Sequence, residues 1–351
     1  MKKYAINGRF TVRNITGQER FAREITMELD ELVPMNFVEI IVPKYARKED
    51  IPNYKNIKVV RWGSTKSHFW EQFDFLFYLL LYHCIGINLC TTCPLLKPDI
   101  NTIHDINQSV NPQFFQSIYS RLSTIWHLMM QYTTFWWGKK ILTVSYFSEQ
   151  EIKRVFKIDE HKILVLGNGW QHINTIDADL RVFKKHPELI LHQYFFAASS
   201  ITPQKNFKWI MEAAVNNPNE IFVIAGRRVK LSNTFDISTP NNLHFIGYVT
   251  DGEMKALMQN CKAFIHPAIY EGFGIPPLEA LATGARIIVS KTASLPEIFQ
   301  NSAHYIDPNN AEVDLVNLLK EPVALSSEVL VRYSWKKEAK KLYDLIINLT
   351  C

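Results

Sequence analysis

Short apolar runs alternate with helix-like segments along this chain, and the alternation occurs twice, on either side of one polar stretch at about 173–190. Nothing else in the sequence restricts the fold as strongly. In the first series 3–6, 37–42, 57–60, 100–103, 140–144 and 163–166 read as strands, and 16–32, 114–137 and 149–156 as helices. The second series gives strands at 194–198, 221–225, 243–246, 263–265 and 286–289, with helices at 207–214, 251–259 and 277–282. Such alternation is the pattern of doubly wound parallel α/β sheets. At 351 residues the chain is too long for one ordinary core and fits two domains of about 150–180 residues. The predicted organisation is an α/β domain over 1–175, a second over 176–333, and an amphipathic helix within 334–351. Ligands of open α/β sheets bind at the carboxyl ends of the strands.

Composition narrows the function classes. Hydrophobic residues make up 47% and charged residues 21% of the chain. No uncharged apolar run reaches about 18 residues, so no membrane span is expected, and the N-terminus lacks the apolar core of a signal peptide. A cytoplasmic protein is the expectation. Residues 1–175 hold 21 Lys and Arg against 16 Asp and Glu, which carries the whole net charge of +5. That excess is too small and dispersed for a nucleic-acid groove, and fits weak attraction to an anionic membrane face. Cys90 and Cys93 have redox or metal spacing, but a zinc site needs a second pair. Two reduced thiols in a loop are expected.

The richest motif runs from His266 to Gly284, HPAIYEGFGIPPLEALATG. It places Glu271 and Glu279 on either side of a Gly-Phe-Gly turn, between a buried strand and the helix after it. A strand, a glycine turn and a helix N-terminus present free backbone N–H groups and a positive dipole end to an anion. One carboxylate can face a sugar ring while the other reaches a ribose.

This segment resembles the nucleotide-sugar motif of retaining glycosyltransferases of the two-domain GT-B fold, family 4. The similarity continues in Arg286 to Ser290 and in Ser294-Leu295-Pro296-Glu297-Ile298. The string from Ile6 to Ala22 resembles the N-terminus of bacterial polysaccharide-assembly members. The resemblance implies two Rossmann-like domains facing a cleft, with the last helix crossing back onto the first domain. It also implies transfer of a sugar from a GDP-, UDP- or dTDP-linked donor to a lipid-linked or oligosaccharide acceptor, with retention, in O-antigen or capsule assembly. Neither a metal nor another cofactor is implied.

Carried over residue by residue, the resemblance makes Lys205 the phosphate-contacting lysine, Glu271 the contact to the donor sugar and Glu279 the contact to the ribose. His104, in His104-Asp105 at a strand end, becomes a hydrogen-bond partner of the transferred sugar. Gly17 lets the backbone approach donor or acceptor. Tyr248 and Val249 belong to the loop framing the base, and Gly272, Phe273, Gly274 and Ile275 to the anion-binding turn. The chain departs from the pattern at Ser199, Ser200 and Gln204, where most relatives carry a basic residue before the lysine; the positive helix end at Gly272 to Ile275, or Arg9 or Arg20, could cover the deficit. Asp177 and Asp179 have metal-site spacing but lie in the polar stretch and end no strand. The aromatic segments 68–85 and 114–137, with Trp126, Trp136, Trp137, Lys139 and Lys140, suit acceptor contact or a peripheral membrane contact. The remaining readings are a GT-B epimerase or phosphorylase, and a catalytically silent nucleotide-sugar binder or assembly subunit.

Overall fold

A computed structural model describes residues 3–115, 117–198, 202–226 and 239–350. It forms two compact units, Met1–Gly169 with Trp335–Cys351, and Trp170–Ser334.

The sheet of the first unit has seven parallel strands: β1 (Lys3–Asn7), β2 (Val38–Val42), β3 (Lys58–Arg61), β4 (Cys84–Asn88), β5 (Ile100–Thr102), β6 (Lys140–Thr143) and β7 (Ile163–Val165). Their order is β3-β2-β1-β4-β5-β6-β7, so the winding reverses between β1 and β4. Helix α1 (Gly17–Asp30) begins at the N-cap Thr16, whose backbone N–H donates to Glu19 Oε2 at 3.2 Å. Its buried Phe21, Ala22, Ile25 and Leu29 form the stripe that faces the sheet.

Two sequence expectations change here. The 68–85 segment holds a helical run, Ser67–Phe69, the π-helical Trp70–Phe75 and Leu76–Leu81, and then the unanticipated strand β4. Gly86 interrupts the β-branched signal in β4. A Cβ there would lie 2.8 Å from Leu79 Cδ1, so the glycine is what lets the helical run pack on the strand. The long helix α2 (Ile118–Trp137) starts four residues later than expected, where Ser117 Oγ accepts from the Ser120 N–H at 3.1 Å. Helix α3 (Tyr146–Phe156) is capped by Ser145, whose Oγ accepts from the Ser148 N–H at 3.1 Å.

The second unit has six parallel strands: β8 (Tyr194–Ala198), β9 (Ile221–Ala225), β10 (Leu243–Gly247), β11 (Ala263–His266), β12 (Ile287–Ser290) and β13 (His304–Ile306). Numbered within the unit their order is 3-2-1-4-5-6, the doubly wound dinucleotide-fold order, reversing between β8 and β11. Strand β13, three residues long, is too short to show a sequence period. The stretch 173–190 is not a bare linker: it contains a 3₁₀ turn ending at Thr175 and the helical Arg181–Lys185. Helices α4 (Phe207–Asn216), α5 (Asp251–Gln259) and α6 (Ile275–Ala282) follow β8, β10 and β11. Trp209 on α4 anchors the core, its Nε1–H donating to the carbonyls of Asp307 at 3.0 Å and Asn310 at 2.8 Å.

Helix α7 (Trp335–Thr350) belongs to the first unit and packs on α1. Trp335 is buried edge-on to Phe21 at 6.2 Å, and Tyr4 Oη donates to the Ile346 carbonyl at 2.9 Å. Both features that the GT-B resemblance implies, two Rossmann-like units and a last helix that belongs to the first, are present.

Candidate functional site

The carboxyl ends of β8 and β11 flank the reversal of winding in the second unit, and the residues following them meet. Lys205, in the 3₁₀ turn Pro203–Lys205 after β8, donates its Nζ–H to Glu271 Oε2 in the loop after β11. The same oxygen accepts from His266 Nε2 at 3.0 Å, from the last residue of β11. Burial opposes ionisation of Glu271, but the Lys205 ammonium and the His266 hydrogen bond overcome it and hold the carboxyl at about 2. Burial keeps the His266 ring neutral, lowering its pKa, so Nε2 carries the proton it gives Glu271. The result is an ionised carboxylate clamped between one cation and one neutral donor.

Hydrogen bonds between loops fix this cluster. The Ile269 N–H donates to the Gln204 carbonyl at 2.8 Å, joining the loops after β8 and β11. Asn206, at φ +56° where its amide caps the turn, donates to the carbonyls of Pro267 at 3.1 Å and Pro308 at 2.8 Å. Ser294 Oγ–H holds the Glu271 carbonyl at 2.9 Å. Residues Ser199 and Ser200 lie outside the described residues.

After Glu271 come Gly272 and Phe273, both buried, the Phe273 ring edge-on to Tyr333 at 5.2 Å. Gly274 is the N-cap of α6 at φ +97°, a conformation that favours glycine, and a Cβ there would lie 2.8 Å from Leu295 Cδ2. Ile275 opens the helix and its N–H has no acceptor within the helix, while Pro276 and Pro277 carry no N–H and the Leu278 N–H donates to the Gly274 carbonyl at 3.3 Å. Glu279, one turn on, accepts from the nearly buried His172 Nε2 at 2.7 Å. Tyr248 is 83% exposed at the end of β10, while Val249 beside it is buried. The structure therefore places Lys205, Glu271, Gly272, Phe273, Gly274, Ile275, Glu279, Tyr248 and Val249 in one unit, and joins Lys205 directly to Glu271. Sequence reasoning gave no role to His266 or His172. The signal available for His266 was a histidine closing an apolar strand five residues before Glu271.

His104 and Gly17 belong to the first unit. Gly17 is the exposed first residue of α1. His104 follows β5, buried edge-on to Phe21 at 5.0 Å, and Nε2 lies 3.0 Å from the Leu89 carbonyl. Burial lowers its pKa to about 4, so the ring is neutral, Nε2–H donates to that carbonyl, and Nδ1 keeps its lone pair. Arg9 is no free cation: it is buried beside β1, its Nε 3.2 Å from Glu71 Oε1 of the π-helical turn. Thr92 and Asn7 also donate to Glu71, at 2.7 and 3.1 Å.

Asp179 binds Arg181, with contacts of 2.7–3.1 Å, in an exposed turn. Among the described residues no group of His, Cys, Asp and Glu has metal-holding geometry. Cys90 and Cys93 are buried free thiols, and burial pushes Cys93 up to about 12.

Residues 183–341, nearly all of the second unit, match the family of glycosyl transferases group 1. The second unit is a group 1 glycosyl transferase domain. Over 262 residues the chain is 29% identical to the O-antigen chain mannosyltransferase RfbU of Salmonella typhimurium strain LT2, covering 70% of this chain and 69% of that one. Among solved structures it is similar to sucrose-phosphate synthase from Thermosynechococcus elongatus, with a TM-score of 0.75 at 14% identity over 100% of this chain and 99% of that one. It is also similar to Anabaena HepE in complex with UDP-glucose, with a TM-score of 0.70 at 13% identity over 99% and 100% of the two chains. The chain has GT-B architecture, and its second unit carries the match to glycosyl transferases group 1. Within the group 1 domain the clamped Glu271, the Gly274 turn and Glu279 occupy the strand-to-helix passage after β11.

Proposed function

We propose that this glycosyltransferase moves a hexose, mannose being the first to test, from a nucleotide-diphosphate sugar to a growing, lipid-linked O-antigen saccharide, with retention at the anomeric carbon. The observation that carries the reading is the Lys205–Glu271–His266 cluster at the winding reversal of the second unit. The name of the Salmonella relative supports the sugar and acceptor class. The UDP-glucose complex of the Anabaena neighbour supports a sugar nucleotide as the donor class.

Breaking the bond from C1 to the diphosphate oxygen leaves positive charge on the ring and negative charge on the leaving group. Lys205 and the Ile275 N–H at the positive end of α6 neutralise the diphosphate, doing without a metal ion. A diphosphate drawing the Lys205 ammonium away leaves Oε2 of Glu271 held by His266 alone, so that the carboxylate stays in place and can accept from the sugar hydroxyls. Glu279, held by His172, takes the ribose. The acceptor oxygen bonds to C1, and its proton passes to the departing phosphate oxygen. Neutral His104 accepts a hydrogen bond from a sugar hydroxyl at Nδ1 and abstracts no proton. The test is a thermal-shift and nucleotide-release screen with GDP-mannose, UDP-glucose and dTDP-glucose. A shift with one of them, lost in Lys205→Ala, supports the reading; no shift with any sugar nucleotide ends it.

A further inference from the structure

We infer that the first unit holds an anion site of its own, which takes the phosphate of a phosphorylated saccharide between the loops that follow β1 and β2. It goes beyond the donor reading and uses no residue of the second unit. The loop after β1 winds into the 3₁₀ turn Gly8–Val12, and the loop after β2 carries another, Lys48–Asp50. Gly8 lets the first loop lie on the end of β2, for a Cβ there would stand 2.4 Å from the Ile41 carbonyl oxygen and 2.7 Å from Val42 Cγ1. Between the loops is a depression of about 490 Å³, lined among others by Arg13, Asn14, Arg23, Tyr45, Arg47 and Asp50. It has the size of a small-ligand site and lies on the carboxyl side of the sheet, where ligands of α/β folds bind.

The sign of the ligand follows from which charges are already cancelled. Arg13 pairs with Glu19 at 3.0 Å, and Arg47 with Asp50 at 2.8 Å and Glu49 at 3.4 Å. Arg23, half-buried on α1, has no carboxylate in contact. Its Nη1 donates to the Asp50 carbonyl at 3.2 Å and its Nη2 to the Thr11 carbonyl at 3.0 Å, so one guanidinium ties both loops together. Carbonyl oxygens satisfy donors without cancelling a full charge, and two bonds leave three of the five N–H groups unused. Arg61, at the end of β3, is in the same state: it touches only the carbonyls of Lys44 and Ala46, under the second loop. Lys44 and Lys48 add charge from that loop. A positive, planar fork at a cavity, with spare donors, matches a bidentate oxyanion.

The remaining lining suits a sugar ring. Tyr45 and Ile15, 41% and 48% exposed at the depression, offer an aromatic and an aliphatic surface to ring carbons. The Asn14 amide brings both a donor and an acceptor for hydroxyl groups. A bare inorganic anion would use none of these three. A phosphorylated saccharide uses all of them, with its phosphate on Arg23.

The experiment is hydrogen exchange of the full chain, titrated with mannose 1-phosphate, mannose 6-phosphate, mannose and inorganic phosphate. A phosphosugar is expected to slow exchange in peptides covering 9–16 and 43–51, at least tenfold more tightly than mannose or inorganic phosphate, and less so as salt rises. Preference for the 1-phosphate assigns the ligand to the phosphate-bearing end of the acceptor, an assignment that rests on the proposed function; preference for the 6-phosphate assigns it to a soluble phosphosugar. Arg23→Gln should bind at least tenfold more weakly, with Arg23→Lys, which keeps the charge without the fork, in between. Because Arg23 also ties the loops, Arg47→Gln serves beside it: that side chain is 69% exposed, so the melting temperature should hold while the released Asp50 carboxylate weakens binding. No protection of these loops by either phosphosugar, equal binding of mannose or inorganic phosphate, or variants that bind as wild type does would overturn the inference. Peptides covering 203–206 and 269–279, followed with UDP-glucose, report the donor reading separately, so either can fail alone.

Discussion

Replacing Lys205 by Met tests whether the ammonium is what keeps Glu271 ionised. Both side chains are less than a fifth exposed. The Glu271 carboxyl is depressed from 4.5 to about 2, with burial opposing and Lys205 the main favourable partner. At about 1.4 kcal/mol per unit this is worth about 3 kcal/mol of stability. Because the folded pKa is the lower one, that stability is complete above pH about 4.5 and fades as the pH falls from there towards 2. Lys205→Met should therefore cost about 3 kcal/mol at pH 7, since it leaves a buried carboxylate with one neutral partner. The gap from wild type should shrink steadily below pH 4.5. Hydrogen exchange of peptides covering β8 and β11, corrected for intrinsic rates, localises the effect to the second unit. The double variant Lys205→Met/Glu271→Gln removes the stranded charge and should recover at least half of the loss. A cost that is the same at pH 7 and pH 3, or a double variant no more stable than the single, would refute the reasoning.

Gly274→Ala forces a side chain into a left-handed conformation and against Leu295, and should cost about 1–3 kcal/mol in thermal melts while weakening sugar-nucleotide binding. His172→Ala should raise the donor KM about tenfold with little change in kcat, because His172 acts by orienting Glu279; His172→Gln, which can still donate, should recover part of it, and an unchanged KM would reject that role. Chelation with EDTA should leave turnover intact. Activity lost on chelation and regained with a divalent cation would show that Lys205 and the positive end of α6 are insufficient.

Much of the fold was legible because long parallel strands announce themselves as apolar runs. Strands β8 and β9 and helix α5 lie within the expected bounds. The elements missed are those whose local signal is weak for a tertiary reason. Strand β4 carries Gly86 because Leu79 needs the space, and β13 is three residues long and defined by its pairing with β12. Within the site, Lys205, Glu271 and the Gly274 turn could be placed from the motif. The partners His266 and His172 could not, since a histidine closing a strand and one in a polar stretch carry no pattern of their own. Arg9 looked available from sequence because its partner Glu71 lies 62 residues away in a π-helical turn.

Helix α7 gives the chain an order of assembly. Trp335, Ala339, Leu342 and Ile346 cover α1, and Thr350 Oγ1 lies 3.1 Å from the Tyr4 hydroxyl of β1, yet they emerge from the ribosome after every residue of the second unit. During synthesis the later-made domain can close around Trp209 while the earlier one still waits for its lid. Chains cut short before Trp335 should thus show a protease-resistant second half joined to a loosened first half, an inversion of the usual N-to-C folding sequence.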